Sequence, residues 1–460
     1  MDRHTSHAVV GKRQERERGA STVEYVGIII AVAVLIGALL VVFPSVGDSL
    51  ADGAKTAVCK ITGGDCSSGS GSNQAESSEN NGTQPGQYAN ASNGGQQTTD
   101  PAFVSQAVKD LRDALAGGLF GVRSGDLEDA RQVIEALGGA EIDALIAQMS
   151  DDELRQWVDQ LNDSWLFGGW NASERRQLWE LFASRASKDT IDRLARFTDE
   201  LQPSFNQVGG DSARDDPTSP ANTGQYGELP HSLFTNGASP DDVSQGAIGD
   251  CWWIASMMAV AQANPQVIQD AITINPNGTY TVRLYDQNGN PVQVTVTPDM
   301  VLNPDGTPAF VDNNGQQVSG NYELWPMVLE KALALHYGEF ADIEGGNASV
   351  GLSALTGLPS SNTDPGVLSA QDLRSVLDGG GAIGLSSLAD GTHNPLYADT
   401  VPSAQRLRTG HAYYVSDVDV AAGTVTVVNP WGTAQYPPLT LTYDEFVSAF
   451  RQVRTNEVTK

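Results

Sequence analysis

Residues 67–100 (SSGSGSNQAESSENNGTQPGQYANASNGGQQTTD) hold almost no large apolar side chain. A stretch of that composition cannot bury enough surface to offset its chain entropy, so it is expected to be a flexible stalk. Any folded core must therefore lie on one side of it or the other. Residues 203–223, rich in Pro, Ser and Asp, read as a second linker, which divides the remainder again. A length of 460 residues with 40% hydrophobic content suits two or three such units. Charge is unevenly divided: residues 1–19 hold five Lys/Arg against three Asp/Glu, and the rest holds 22 against 53. The overall charge of -29 argues against nucleic-acid binding, because phosphates demand clustered Lys and Arg.

Val26 to Phe43 (VGIIIAVAVLIGALLVVF) runs 18 residues without a charge. As a helix rising about 1.5 Å per residue it would cross roughly the hydrocarbon thickness of a bilayer. The basic residues before it favour a cytoplasmic N-terminus and an acidic body outside. The alternative is a buried helix of a soluble domain. "RGASTVEYVGIIIAVAVLIG" resembles the N-terminus of a Flp-type or type IV prepilin, with Gly19 followed by Glu24 and an apolar stretch. That resemblance implies cleavage after Gly19; an uncut anchor is the alternative. Cys59 and Cys66, in "CKITGGDC", are expected to close a small disulfide loop outside the cell, which leaves Cys251 as the odd thiol.

From Pro101 the pattern becomes helical. Leu154, Trp157, Val158 and Leu161 share one helix face, and Ser150-x-x-Glu153 supplies a capping box before them. Leu178, Leu181 and Phe182 repeat the face, and four of the eight tryptophans (Trp157, Trp165, Trp170, Trp179) lie in this module. They read as helix–helix core, with a surface for a protein partner as the alternative. Beyond residue 224 the patterns are mixed. "GTYTVRLYDQNGNPVQVTVTPDM" predicts a hairpin around an Asn-Gly turn, "YELWPMVLEKALALHYGEF" a helix, and "GHAYYVSDVDVAAGTVTVVNPWG" two strands joined at Ala421-Ala422-Gly423. The fold class is therefore α+β.

"SQGAIGDCWWIASMMAVAQANP" places Cys251 between a glycine-rich turn and a run of good helix formers. Taken alone, such a cysteine is commonly a small buried residue. As a nucleophile it would need a lowered pKa, which a helix N-terminus and a nearby imidazolium both promote. His411 lies 160 residues downstream on a predicted strand, and Asn429 lies 18 further on the paired strand. Side by side, the amide oxygen of Asn429 could accept from one ring nitrogen and aim the other at sulfur. Trp431 could shield that hydrogen bond from water. Gln245 could offer a side-chain N–H to an oxyanion beside the Cys251 backbone N–H.

"QGAIGDCWWIASMMAVA", "LWPMVLEKALALHYGEFADIEGG" and "GHAYYVSDVDVAAGTVTVVNPWG" resemble, in order, the protease core of calpains over about residues 228–450. The resemblance implies a papain-like, two-lobed cysteine protease fold, with the cysteine on a mainly helical lobe and His and Asn on a β lobe. It implies Cys251 as nucleophile, His411 as base and acid, Asn429 as orienter, Gln245 as oxyanion donor and Trp431 as shield. It also implies that the "LWPMVLEKALALHYG" helix packs through Leu329, Ala332 and Leu333. No cofactor is required by that chemistry. Calcium is the one ion the resemblance leaves open, since Asp242 matches a carboxylate of a family calcium site. The usual acidic segment after N-P-W-G is missing, and no EF-hand loop follows.

The organisation expected is thus a basic leader (1–25), a transmembrane helix (26–43), a stalk (44–100), an all-α module (101–202), a linker (203–223) and a protease domain (224–455). The function expected is a single-pass membrane cysteine endopeptidase whose catalytic domain faces outward and cleaves proteins, released or assembled if the leader is cut. An inactive pilin-like surface or adhesion protein, and a papain-fold transglutaminase or deamidase, are the alternatives. "GGGAIG" (379–384) matches G-x-G-x-x-G but follows a helical stretch, so a turn into a buried strand is expected there rather than nucleotide binding. His231, His336 and His393 have no metal spacing, and His336 is expected on a helix surface.

Overall fold

The computed structural model describes residues 101–115, 124–162, 172–210, 213, 215–315 and 320–459. The apolar stretch 26–43, Gly19, Glu24, the Cys59/Cys66 pair, Trp165 and Trp170 lie outside the described residues. Among those described, no helix is long and apolar enough to cross a membrane.

The first described unit is all-α, with helices α1 (Pro101–Leu115), α2 (Ser124–Ala136), α3 (Gly139–Ala147), α4 (Asp151–Asn162), α5 (Ala172–Arg185) and α6 (Lys188–Leu194). Helix α4 starts where the capping box predicts: Ser150 N donates to Glu153 Oε2 at 2.8 Å, and Glu153 N donates to Ser150 Oγ at 3.2 Å. Its face of Leu154, Trp157, Val158 and Leu161 is buried together with Leu178 and Phe182 of α5. Trp157, Trp179 and Phe182 meet with ring centroids 5.4 to 6.0 Å apart. These two tryptophans are core residues, because a helix only 12 residues long stays formed through packing of its apolar face.

The second unit contains two lobes. The first is built on α7 (Cys251–Ala263), α8 (Pro265–Ala271), α9 (Trp325–Tyr337) and α10 (Ala348–Thr356). Beside them lies an antiparallel sheet of β3 (Ile272–Ile274), β4 (Tyr280–Tyr285) and β5 (Pro291–Val296), in which the Asn-Gly turn closes the expected hairpin. Asp286 accepts from the backbone N–H groups of Asn288 and Asn290 across that turn, and Gly289 takes the left-handed conformation at φ 78°. Two short pairs complete the lobe: β1 (Gln225–Gly227) with β6 (Met300–Leu302), and β2 (His231–Ser232) with β7 (Tyr322–Glu323).

The second lobe is a five-stranded antiparallel sheet ordered β11-β10-β9-β8-β12. Its strands are β8 (Ala382–Ser387), β9 (Ala412–Asp419), β10 (Thr424–Val428), β11 (Leu439–Thr442) and β12 (Phe450–Asn456). Helices α11 (Ala370–Asp378) and α12 (Tyr443–Ala449) cover its own core of Leu373, Ile383, Leu385, Val415, Phe446 and Val453. The glycine-rich "GGGAIG" is the turn from α11 into buried strand β8, as expected. Helix α7 is buried on nearly every side, from Trp252 to Ala261, because it is wedged between the two lobes. Helix α9 is buried along Trp325 to Leu335, and Leu329, Ala332 and Leu333 have no exposed surface.

Residues 203–223, read from composition as a linker, include a length held against the first lobe. Pro203 and Val208 are buried, Tyr226 Oη donates to Pro203 O at 2.6 Å, and Gly209 N donates to Glu344 at 2.8 Å. The all-α unit docks on the same lobe through α5. Asn277 Nδ2 donates to Ala183 O and Ala186 O at 2.9 and 2.7 Å, and Thr295 N on edge strand β5 donates to Glu180 Oε1 at 2.9 Å. His336, expected on a helix surface, is half-buried in this seam with Nδ1 3.1 Å from the Arg176 guanidinium. Burial and that cation lower its pKa to about 4.

Burial raises the Glu180 carboxyl to about 7, so the folded chain keeps its proton where the unfolded chain has released it. The folded state then binds more protons, and stability falls as pH climbs from about 4.5 to 7. A Glu180→Gln variant should flatten that slope by on the order of 1–3 kcal/mol. Thermal denaturation of both proteins at about pH 5 and pH 8 checks it; identical slopes would contradict the account.

Candidate active site

A turn held by its own backbone leads into α7. Gly246 passes so close to Phe310 O that a Cβ there would collide with it, and Ala247 N donates to Ala309 O at 3.1 Å. Ser244 and Asp312 exchange backbone hydrogen bonds of 3.0 and 2.8 Å, which fixes the turn against the 309–312 segment. The chain then enters the helix with Asp250 as N-cap and Cys251 as the first helical residue. In that position the Cys251 N–H has no intrahelical acceptor, so it points out of the helix end with the positive end of the dipole. The thiol is half-buried.

Opposite the sulfur stands the start of β9. His411 precedes that strand and is pinned by Ser387: His411 N donates to Ser387 Oγ at 2.8 Å, and Ser387 N donates to His411 O at 2.9 Å. Asn429 follows β10, the neighbour of β9. His411 Nε2 lies 3.0 Å from Asn429 Oδ1, and Trp431 N donates to the same oxygen at 3.0 Å. Two donors on one amide oxygen settle its identity, and an oxygen acceptor requires the hydrogen on Nε2. In the neutral ring Nδ1 is therefore the free acceptor. The Ala412 amide, next along the chain, lies beside the Cys251 sulfur.

The Trp431 ring is 4.8 Å from the imidazole, and Tyr413 meets the imidazole edge-on at 5.1 Å. Trp431 reaches this place from a turn after β10 rather than from a continued strand. Gly432, at φ 93°, makes that turn where it presses on Ser244 and Asn314. The same turn bolts the lobes together. Gln245 N donates to Pro430 O at 2.8 Å, Ser244 Oγ to Trp431 O at 3.1 Å, and Asn314 Nδ2 to Thr433 Oγ1 at 2.8 Å. The Gln245 side chain stays within its own loop, with Nε2 donating to Ile248 O at 2.7 Å and its enclosed amide oxygen without a protein partner. That bond uses one of the two amide hydrogens.

The electrostatics differ from the sequence expectation. Burial pushes the Cys251 thiol up to about 11, with the charge of Asp250 adding to the rise. Burial likewise lowers His411 to about 4, against a raising contribution from Asn429, and the Arg408 guanidinium lowers it further. Desolvation outweighs the helix end, so the resting pair is neutral thiol and neutral imidazole. Beneath the cysteine, Asp250 and Glu330 are both buried, and burial raises both carboxyls. Their mutual repulsion leaves the proton on Glu330, which also accepts from Val311 N at 3.1 Å.

Asp242, the calcium candidate, accepts two hydrogen bonds within the first lobe. Its Oδ2 accepts from Ser239 N at 2.7 Å and from Trp325 Nε1 at 3.2 Å. Burial raises it to about 6, with neighbouring Glu323 adding to the rise. Through Oδ2 the Asp242 carboxylate caps the short turn at residues 240–242, and among the described residues no group of three or more His, Cys, Asp or Glu is placed to hold a metal ion. His231 bonds Leu229 O at 2.7 Å and Tyr280 Oη at 3.2 Å, a structural role. Sequence reasoning overlooked Ser387, Glu330 and Arg408: Ser387 and Glu330 meet His411 and Asp250 across long separations, and Arg408, three residues before His411, is marked only by the ring of Trp431 on which it is seated.

Residues 221–438 match the family described as calpain family cysteine protease. Relatives include the calpain-type cysteine protease DEK1 of Arabidopsis thaliana, 30% identical over 214 residues (43% of this chain and 9% of the relative). Calpain-5 of Caenorhabditis elegans is 30% identical over 227 residues (44% and 33%). The calpain-1 catalytic subunit of Bos taurus is 30% identical over 277 residues (54% and 36%). The matched region thus spans from under a tenth to about a third of these relatives.

A raised thiol pKa predicts sluggish alkylation. At neutral pH, iodoacetamide should modify Cys251 of the resting protein about 100-fold more slowly than a free cysteine, the ratio that two units of pKa imply. Rates measured by mass spectrometry that equal or exceed the free thiol would show that the site is wetter and more charged than this geometry.

Proposed function

We propose, from the premise that residues 221–438 form a calpain-family cysteine protease domain, that this chain hydrolyses peptide bonds of proteins through an acyl-enzyme on Cys251. The observation that carries the reading is the 3.0 Å hydrogen bond from His411 Nε2 to Asn429 Oδ1, made beside the residue that touches the Cys251 sulfur. It leaves Nδ1 as a proton acceptor on the cysteine side. The lobes correspond to a papain-like arrangement, with substrate lying across the seam between α7 and β9.

As the substrate carbonyl approaches, the Cys251 proton passes to His411 Nδ1 while sulfur bonds to carbon. The developing oxyanion takes hydrogen bonds from the Cys251 backbone N–H and from the Gln245 amide hydrogen not used by Ile248. His411 then gives the proton to the leaving amine as the C–N bond breaks. Water, deprotonated by the same nitrogen, then attacks the thioester carbon; the C–S bond breaks, the acid product leaves, and His411 returns the proton to sulfur. Asn429 holds the ring through both half-reactions, and Trp431 keeps water from that bond. The apolar stretch 26–43 would tether the enzyme at the cell membrane with the protease domain outside, unless the chain is cut after Gly19.

On an unfolded protein substrate, Cys251→Ala should abolish cleavage and His411→Ala should lower kcat/KM by about 10²–10⁴. Undiminished cleavage by Cys251→Ala would sink the assignment. Side-chain deamidation or cross-linking without chain cleavage, read by mass spectrometry, would move the chemistry to another acceptor. The neutral imidazole is the working base, and its pKa lies at about 4. The acid limb of kcat/KM should therefore fall near that pH instead of near the usual value of about 6.5.

A further inference from the structure

Arg408 is the charged group nearest the candidate base for which the described residues provide no carboxylate. Its guanidinium carbon lies 5.2 Å from the centre of the Trp431 ring and 6.0 Å from that of Tyr436. Trp431 in turn touches His411 at 4.8 Å and Tyr436 at 5.2 Å. The cation is thus seated on the indole that shields the His411–Asn429 bond. Among the described residues its side-chain partners are Ser403 Oγ at 2.6 Å and Ser403 O at 3.4 Å, while its Nε is enclosed with no partner. Its position is fixed from the backbone as well, because Arg408 N donates to Tyr413 Oη at 2.7 Å.

The carboxylates of the surrounding loop are engaged elsewhere. Asp399 pairs with Arg406, Asp390 accepts from Thr409 Oγ1, and Asp241 accepts from Thr433 Oγ1. A chain with charge -29 therefore keeps an unpaired, stacked arginine at its candidate active site. With Nη2 donating to Ser403 and Nε enclosed, Nη1 is the nitrogen left to donate to a carboxylate in a charge-assisted hydrogen bond.

We propose that Arg408 is a specificity residue that binds an aspartate or glutamate of the substrate just C-terminal to the scissile bond. The side of the cleft follows from the chemistry. The imidazole protonates the leaving amine, so groups clustered around it face the residues that depart with that amine. The inference rests on the proteolytic reading above. A substrate carboxylate on Arg408 would also offset the cation that opposes protonation of His411, so binding it would favour the imidazolium formed during attack. An acidic peptide would thus help to activate the pair that cuts it.

The experiment uses the full chain and matched peptides that carry Glu or Gln at the first and second positions after the cleaved bond. For the wild type, kcat/KM should favour Glu by about 10-fold or more; Arg408→Gln should bring the ratio to about one, and Arg408→Lys should retain part of it. A wild-type ratio near one, or a preference unchanged in Arg408→Gln, would overturn the proposal and leave Arg408 as a packing residue for Trp431. A second arm needs no peptide cleavage: the rate of Cys251 modification by anionic iodoacetate relative to neutral iodoacetamide. That ratio should fall several-fold from wild type to Arg408→Gln and be largely kept in Arg408→Lys. If no peptide is cut yet the alkylation ratio falls as expected, the proteolytic reading fails while the anion site stands. An alkylation ratio that is the same in all three proteins overturns the anion site.

Discussion

Everything about the site depends on α7 being wedged between two cores. From Trp252 to Ala261 the helix has no free face, since it packs on α10 within its own lobe and on β8 and β9 across the seam. Fully burying one large apolar side chain is worth about 1.5–3 kcal/mol, and α7 buries several at once, among them Trp253, Ile254, Met257 and Met258. The helix cannot rotate or slide without giving that up. Its first residue, Cys251, is therefore fixed in space, and Gln262 Nε2 donating to Ser416 O at 2.8 Å ties the far end to β9 as well. Because β9 is also the strand that follows His411, one packed element sets the distance between sulfur and imidazole.

That packing has an electrostatic consequence. A thiol at the end of a buried helix gains the helix dipole but loses water, and here the loss is larger. The thiol and the imidazole rest uncharged, with Trp431 and Tyr413 around the ring and the Glu330–Asp250 pair below the cysteine. Such a site suits proton transfer concerted with attack better than a stored ion pair. It also makes any charge at the rim, Arg408 above all, more influential than it would be in water.

Much of this frame was legible in the sequence because it rests on local patterns. Ser150-x-x-Glu153, the Asn-Gly turn of β4–β5 and the Ala421-Ala422-Gly423 turn each declare themselves within a few residues. The pairing of His411 with Asn429 was also accessible, since the two flank strands joined by a short turn. What escaped was decided by burial or by distant contacts. The composition of 203–223 reads as a linker, yet Val208 joins the core of the first lobe and Pro203 is buried, which composition cannot reveal. His336, expected on a helix surface, is half-buried where Arg176 of the all-α unit meets it. A nucleophilic Cys251 would call for a lowered thiol pKa, whereas burial raises it, and the degree of desolvation is a property of the folded site that no local pattern carries.

The central claim is that Cys251 reacts through His411 held by Asn429. The most direct measurement is intact-mass analysis of the full chain incubated with a peptidyl vinyl sulfone, an electrophile that captures a cysteine only as it attacks. The account predicts one adduct per chain, mapped to Cys251, and its loss in both Cys251→Ala and His411→Ala. Adduct formation that persists at the same rate without His411, or that maps to another residue, would contradict it.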